Sequence, residues 1–161
     1  MVVGYLKNVE STFNGEKKVY KQGAICFPLV PKVLITLTKN RKENLTANDP
    51  TFFINMNKDK NYPGPKSRIG ALWLKKVEKQ DSPKFGQDYL SGNIETPLVA
   101  NGILYLSVFK VEEPKEGEQP KEWDYEILWN PPRPKQEDNS YAYQDTYIPD
   151  NYESIDENEP F

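Results

Sequence analysis

An internal repeat of about 70 residues constrains the fold of this chain more than any other feature of its sequence. Near the N-terminus, Val3-Gly4-Tyr5-Leu6-Lys7 is matched by Ile69-Gly70-Ala71-Leu72-Trp73. Three more matches follow in the same order, pairing residues 20–25 with 89–94, 33–37 with 103–107, and 52–57 with 125–130. The offset between the copies grows steadily along the chain, as small loop insertions would produce. The sequence therefore contains two tandem copies of one unit.

Each copy contains four strand-like runs separated by turn residues. The predicted strands span residues 2–8, 18–27, 33–39 and 51–57 in the first copy, and 68–77, 87–95, 102–111 and 123–130 in the second. Asn14-Gly15 is typical of a tight hairpin, and the Pro-Gly-Pro linker at residues 61–65 cannot continue a strand. No amphipathic helix is evident. We expect an all-β protein of two four-stranded units, residues 1–65 and 66–135, forming OB-like or related small barrels.

The pattern of alternation differs between the two copies. In the first, residues 33, 35 and 37 are apolar and residues 36 and 38 are threonines, which indicates a sheet with one wet side. In the second, the repeat alignment equates Tyr105 with Ile35, yet Leu104 and Leu106 occupy the opposite face. The second unit is therefore predicted to be apolar on both sides. It would need a cover on each side, from the first unit or from a second subunit in a homodimer.

Composition excludes several classes of chemistry. The chain has no His and a single Cys, so it lacks histidine bases, histidine metal ligands, an internal disulfide and a thiolate zinc site. No Walker loop or dinucleotide-binding glycine motif is present, and Cys26 is predicted to be a buried, inert thiol. We expect a protein that is not an enzyme and has no cofactor or metal. Apolar runs are too short to span a membrane, which favours a cytoplasmic location.

Charge is divided unequally along the chain. All 21 Lys and Arg residues lie at or before Lys135, whereas residues 136–161 contain eight acidic side chains and no basic one. A mildly basic body thus carries an acidic tail, and the polar, Pro-interrupted composition of that tail predicts disorder.

Basic residues in the body are interleaved with aromatic rings. This combination suits single-stranded nucleic acid, because cations follow the phosphates and rings stack on unpaired bases. An ordinary β core with buried rings and a solvated lysine fringe would give a similar pattern. The predicted nucleic-acid-binding residues are Tyr5, Phe13, Lys17, Lys18, Tyr20, Lys21, Lys39, Arg41, Lys42, Lys58, Lys60 and Tyr62.

The chain closes with Ile155-Asp156-Glu157-Asn158-Glu159-Pro160-Phe161. This ending resembles the C-terminal tip of bacterial and phage single-stranded-DNA-binding proteins, in which an acidic run ends in Pro-Phe. The resemblance implies that Phe161 anchors replication or repair proteins, that Pro160 stiffens the tip, and that Asp156, Glu157 and Glu159 steer it. Glu159 departs from the family pattern, which has an aliphatic residue there. The body resembles an uncharacterised family of small β proteins found on plasmids and phages.

Two functions remain open at this point. The first is sequence-independent binding of single-stranded DNA in replication or recombination, in a bacterium or an infected host cell. The acidic tail would recruit partners and compete with DNA for the basic body. The second is a non-enzymatic protein-interaction or virion-associated role, with a tail that solubilises the protein or mimics DNA.

Overall fold

The protein folds into a closed barrel of eight antiparallel strands. The computed structural model describes residues 1–28, 31–57, 68–96 and 102–131, and these ranges contain no helix. Each strand pairs with the next along the chain, and β8 pairs with β1 to close the barrel. The all-β prediction and its eight strands are confirmed. The strands are β1 (Val2–Phe13), β2 (Glu16–Ile25), β3 (Val33–Lys39), β4 (Phe52–Met56), β5 (Arg68–Lys76), β6 (Asp88–Glu95), β7 (Ile103–Lys110) and β8 (Tyr125–Asn130).

Alternating apolar side chains fill the inside of the barrel. An eight-stranded barrel is just wide enough for its inward-facing side chains to fill it. Burying an aliphatic side chain of this kind stabilises a fold by about 1.5–3 kcal/mol. The core contains Val3, Leu6, Ile25, Ile35, Leu37, Ile54, Leu72, Leu90, Ile94, Leu104, Leu106, Val108 and Ile127.

The two units occupy equivalent halves of this single barrel. Gly23 pairs with Leu6 in the first half, as Gly92 pairs with Leu72 in the second. The seams between the halves also match, because Ile54 pairs with Gly70 as Ile127 pairs with Gly4, and an irregularity in register follows at the same place in each seam. Each half thus supplies four strands, and closure requires both.

The predicted face of β7 is wrong by one residue. Gly92 pairs with Leu106, just as Gly23 pairs with Ile35, so Leu106 rather than Tyr105 is the counterpart of Ile35. Leu106 is buried, whereas Tyr105 is 40% exposed. The stretch from Gly92 to Leu106 is two residues longer than the stretch from Gly23 to Ile35, whereas the sequence alignment allowed for one extra residue. A one-residue slip exchanges the two faces of a strand. The barrel interior therefore covers the face with Leu104, Leu106 and Ile127, and Tyr105 lies on the outer face with Phe109.

The hairpin between β1 and β2 extends beyond the barrel wall. Pairing of β3 with β2 begins at Lys21, and pairing of β8 with β1 reaches only to Leu6, whereas β1 and β2 remain paired out to Phe13 and Glu16. Residues 9–20 thus form a two-stranded ribbon. Positive φ angles of 52° at Asn14 and 79° at Gly15 close its tip, as expected for the turn type that this dipeptide favours.

Cys26 departs from its predicted burial. It follows the last residue of β2, its backbone N–H donates to the carbonyl of Val3, and its side chain is exposed. The predicted strand 18–27 is therefore slightly too long at its C-terminal end. Within the described ranges, no helix is long and apolar enough to cross a membrane.

Candidate nucleic-acid interface

A basic hollow of about 340 Å³ lies at the barrel rim, where the ribbon meets the end of β3. Five of the predicted nucleic-acid-binding residues line it together, and no carboxylate is among its described lining residues. The rim hollow is lined by Lys18, Val19, Tyr20, Lys21, Leu37, Thr38, Lys39, Arg41 and Phe52.

A second, more open hollow of about 860 Å³ continues from the first across the outer face of β2, β3 and β4. Tyr20 and Thr38 line both hollows, so the two are continuous. We refer to them together as the basic groove. The remaining lining residues of the second hollow are Gln22, Thr36, Asn55, Met56, Asn57 and Arg68.

Hydrogen bonds fix the polar side chains on the floor of the basic groove. Asn55 Nδ2 donates to Thr38 Oγ1 at 2.8 Å. On the same face, Thr36 Oγ1 donates to Asn57 Oδ1. These residues alternate with buried ones along their strands, which is why their side chains lie on one outer face. The floor therefore presents hydrogen-bonding groups in fixed positions.

Aromatic rings and cations meet at both ends of the basic groove. At the rim, half-buried Tyr20 lies among the lysines. At the far end, the guanidinium of Arg68 lies 3.5 Å from the ring centroid of Phe53, close enough for a cation–π interaction.

Lys21 is held in place by neutral partners. Its Nζ donates to Asn8 Oδ1 at 2.9 Å and to the hydroxyl of Tyr125 at 3.1 Å, and it lies 4.6 Å from the centroid of the Tyr125 ring. The side chain is half-buried at the mouth of the barrel. Its position is therefore fixed, and neither hydrogen-bond partner neutralises its charge.

Other predicted residues lie away from the basic groove. Tyr5 is on the outer face of β1, 5.6 Å between ring centroids from Trp123, and its hydroxyl accepts a hydrogen bond from Lys32. Lys17 is not among the described lining residues of the groove, and strand alternation places it on the face of the ribbon opposite to Lys18.

Lys42 is bound to a carboxylate. Its Nζ lies 2.7 Å from Asp49 Oδ2, and the backbone and hydroxyl of Thr46 donate to the same oxygen. The hydrogen bond from Lys42, then those from Thr46, lower the pKa of Asp49 to about 2. Trp73 Nε1 donates to the carbonyl of Asn48, which attaches this loop to β5. We infer that Lys42 stabilises the β3–β4 loop.

The remaining predicted site residues fall outside the described part of the chain. Phe13 is at the end of β1, but its side chain is not described. The others are Lys58, Lys60 and Tyr62 near the linker, and the tail residues Asp156, Glu157, Glu159, Pro160 and Phe161. Their roles stay predictions, as does the disorder of residues 136–161.

Sequence reasoning missed Arg68, Phe52 and the polar floor of the groove. The alternation of Thr36 and Thr38 did indicate a wet face, but hydration alone does not distinguish a binding surface from an ordinary one. Arg68 joins this face because barrel closure places β5 beside β4, a pairing between the two units that neither unit reveals separately.

The equivalent face of the second unit has a different character. Tyr89, the counterpart of Tyr20, stacks on Phe109 with centroids 5.0 Å apart and planes 5° from parallel, and Lys84 lies 4.4 Å from the Phe109 centroid. Ser107, the counterpart of Thr36, is buried. The nearby hollow combines lysines with Glu112, Glu113, Glu118 and Glu126. The carboxylate-free combination of cations and ring therefore belongs to the first unit.

Comparison with known proteins adds no relative from which a function could be transferred. No family model, curated protein or solved structure matches this chain. The resemblance of the C-terminal tip to single-stranded-DNA-binding proteins therefore stays a prediction. Among the described residues, no group of three or more acidic or Cys side chains could hold a metal ion.

Proposed function

We propose that this protein binds single-stranded DNA along the basic groove, without sequence preference. One observation carries the proposal: of two equivalent faces of the barrel, one combines cations with a half-buried tyrosine and has no carboxylate in its described lining. The other face is occupied by a stacked ring pair and flanked by charges of both signs. If the lysines served only to keep the barrel hydrated, there would be no physical reason for cations without carboxylates to be concentrated on one of the two faces.

The chemistry of the groove suits an unpaired strand. Lys39 and Arg41 lie at the rim and Arg68 at the far end, so phosphates could be neutralised along the whole path. Tyr20 lies where the two hollows join and offers a ring on which any base can stack. The polar floor supplies hydrogen bonds that do not depend on one base. Affinity would therefore come from charge and stacking, without base-specific readout.

The acidic tail completes the proposal. Residues 136–161 carry eight acidic side chains next to a basic body, so the tethered tail would compete with DNA for the groove. DNA would then release the tail, whose Phe161 end would recruit replication or recombination proteins. Deleting residues 136–161 should tighten binding of single strands at low salt. Unchanged affinity would refute competition by the tail.

The central test is a fluorescence-anisotropy titration of the full chain with a labelled oligo(dT) of about 15 nucleotides and a duplex of equal length. We expect preference for the single strand, and weaker binding as salt rises from about 50 to 200 mM. Tyr20→Ala should weaken binding by about 1–3 kcal/mol through loss of stacking. Tyr105→Ala is the matched control, because Tyr105 is exposed on the outer face of the second unit.

Absence of binding to either oligonucleotide would refute the proposal. It would favour the alternative of a protein-interaction or virion-associated component, in which the tail solubilises the protein or mimics DNA. Equal losses in the Tyr20 and Tyr105 variants would separately refute the assignment of the groove.

A further inference from the structure

The mouth of the barrel differs between the two halves at three equivalent inward-facing positions. Asn8 and Lys21 form a cross-strand pair in the first half, and the corresponding pair in the second is Leu74 and Leu90. The third position holds Tyr125 beside the first pair; its counterpart Phe52 pairs with Leu72 just as Tyr125 pairs with Leu6. Asn8, Lys21 and Tyr125 thus form a polar triad at positions where the second half of the barrel has three apolar residues.

The barrel does not require this polar triad. The second half shows that leucine and phenylalanine fit the same backbone positions in the same register. Placing an ammonium group beside an apolar core instead costs desolvation, and holding a long side chain in one conformation costs rotamer entropy. The polar triad therefore needs a reason other than folding.

The contacts of Lys21 indicate that reason. An ammonium has three N–H donors, and the two described hydrogen bonds go to the neutral oxygens of Asn8 and Tyr125. No described carboxylate forms an ion pair with Lys21. The side chain also lines the basic groove. It is a positioned cation with remaining capacity for an anion.

We propose that Lys21 is the phosphate anchor of the basic groove, and that Asn8 and Tyr125 are positioning residues that hold its ammonium in place. The proposal rests on the proposed binding of single-stranded DNA and names the group that fixes the strand at the rim. Its ligand is a phosphate oxygen of the backbone. The second half of the barrel has leucine in this position and offers no equivalent anchor.

The test compares single variants of the full chain by titration with oligo(dT) at several salt concentrations. Lys21→Met should weaken binding by about tenfold or more, since a hydrogen bond to a charged group is lost. It should also reduce the magnitude of the log–log salt slope by about 0.7, the contribution of one phosphate contact in a single strand. Tyr125→Phe and Asn8→Leu should weaken binding by several-fold without changing that slope, because the charge remains but its position is no longer fixed.

Two controls separate this role from folding and from general charge. Lys79→Met removes one exposed positive charge from the β5–β6 connection, outside the lining of the basic groove, and should leave affinity within about twofold, because an exposed charge outside the contact acts weakly. The combined variant Asn8→Leu, Lys21→Leu, Tyr125→Phe copies the side chains of the second half. It should melt no lower than the wild type and still bind poorly.

The outcomes distinguish this inference from the function on which it rests. Suppose the wild type binds oligo(dT) and Lys21→Met shows the same affinity and salt slope. Lys21 is then not the phosphate anchor, but the proposal that DNA binds in the basic groove is not affected. A loss as large in Lys79→Met as in Lys21→Met would also overturn the assignment of Lys21 as the anchor. If the wild type itself fails to bind, the proposed function falls, and the anchor falls with it.

Discussion

Gly23 is the position at which the close approach of β1 and β2 can be tested most directly. It lies on the inner face of β2, opposite Leu6. A Cβ at this position would lie 1.8 Å from the carbonyl oxygen of Tyr5, 2.8 Å from its carbonyl carbon and 2.9 Å from Cα of Leu6. All three are backbone atoms of the neighbouring strand, so no side chain can rotate away to make room. Gly23→Ala should therefore force the two strands apart.

The expected cost is large for a single methyl group. Ordinary carbon–oxygen contacts begin above 3 Å, so β1 would have to move by more than 1 Å, at the expense of nearby ladder hydrogen bonds. Overpacking usually costs about 1–3 kcal/mol, and disruption of buried backbone hydrogen bonds adds to this. We expect a loss of about 3–5 kcal/mol in the free energy of unfolding. In a barrel of this size, that corresponds to a fall in Tm of at least about 10 °C.

The assay is urea or thermal unfolding followed by circular dichroism, with two comparison variants. Gly92→Ala should cost nearly as much as Gly23→Ala, because its Cβ would lie 1.9 Å from the carbonyl oxygen of Ala71. Gly15→Ala has nothing within 4 Å of the new Cβ and only a φ of +79° to strain, so it should cost about 1–2 kcal/mol. Equal small losses at Gly23 and Gly15 would refute the close approach. A large loss at Gly23 with none at Gly92 would refute the equivalence of the two halves.

Three further predictions concern the β3–β4 loop, the core and a partly buried hydrogen bond between β7 and β8. The lowered pKa of Asp49, to about 2, means that the stabilisation it provides is present above its ordinary pKa of 3.8 and is lost as pH falls towards 2. Lys42→Met should return its titration, followed by NMR, towards the ordinary value. Leu106→Ala should lower the free energy of unfolding by about 2–5 kcal/mol, and Tyr105→Ala should lower it by less than about 1 kcal/mol. A larger loss in Tyr105→Ala than in Leu106→Ala would instead support the alignment of Tyr105 with Ile35. Ser107 Oγ accepts a hydrogen bond from Asn130 Nδ2 on β8. Ser107→Ala removes this bond and should lower the free energy of unfolding by about 1–3 kcal/mol in the same assay.

Local signals in the sequence were sufficient to predict the strands and the β1–β2 hairpin. Strand runs and the Asn14-Gly15 turn depend on residues close together in the chain, and the structure has all eight strands and the turn at these places, although β1 continues to Phe13 instead of ending near residue 8. The face of β7 was not predictable in this way, because it depends on how many residues the preceding connection adds. Tyr105 is large and apolar enough to align with Ile35, and only the pairing with β6 shows that Leu106 is the true counterpart.

The candidate site followed the same division between local and long-range information. Lys18, Tyr20 and Lys21 were found because they are neighbours in one strand that also carries turn and charge signals. Arg68 was not found, because its place in the groove depends on the seam between β4 and β5. Tyr5 was assigned to the site because aromatic rings are interleaved with basic residues along the chain, but the structure places its ring on the outer face of β1, beside Trp123.

Equivalent positions in the two halves also separate the requirements of the fold from those of the site. Because the halves share one register, a difference in side chain at an equivalent position cannot be imposed by the backbone. At three equivalent positions, a polar or cationic residue of the first half stands where the second half has an apolar one. The pairs are Lys21 and Leu90, Thr38 and Phe109, and Asn55 and Leu128. All three residues from the first half line the basic groove. Differences in the opposite direction also occur, as between Phe53 and Glu126 and between Val19 and Asp88, so the first half is not more polar at every position. The clustering of the three polar residues in one groove is what favours a first half specialised for binding and a second half that completes the barrel.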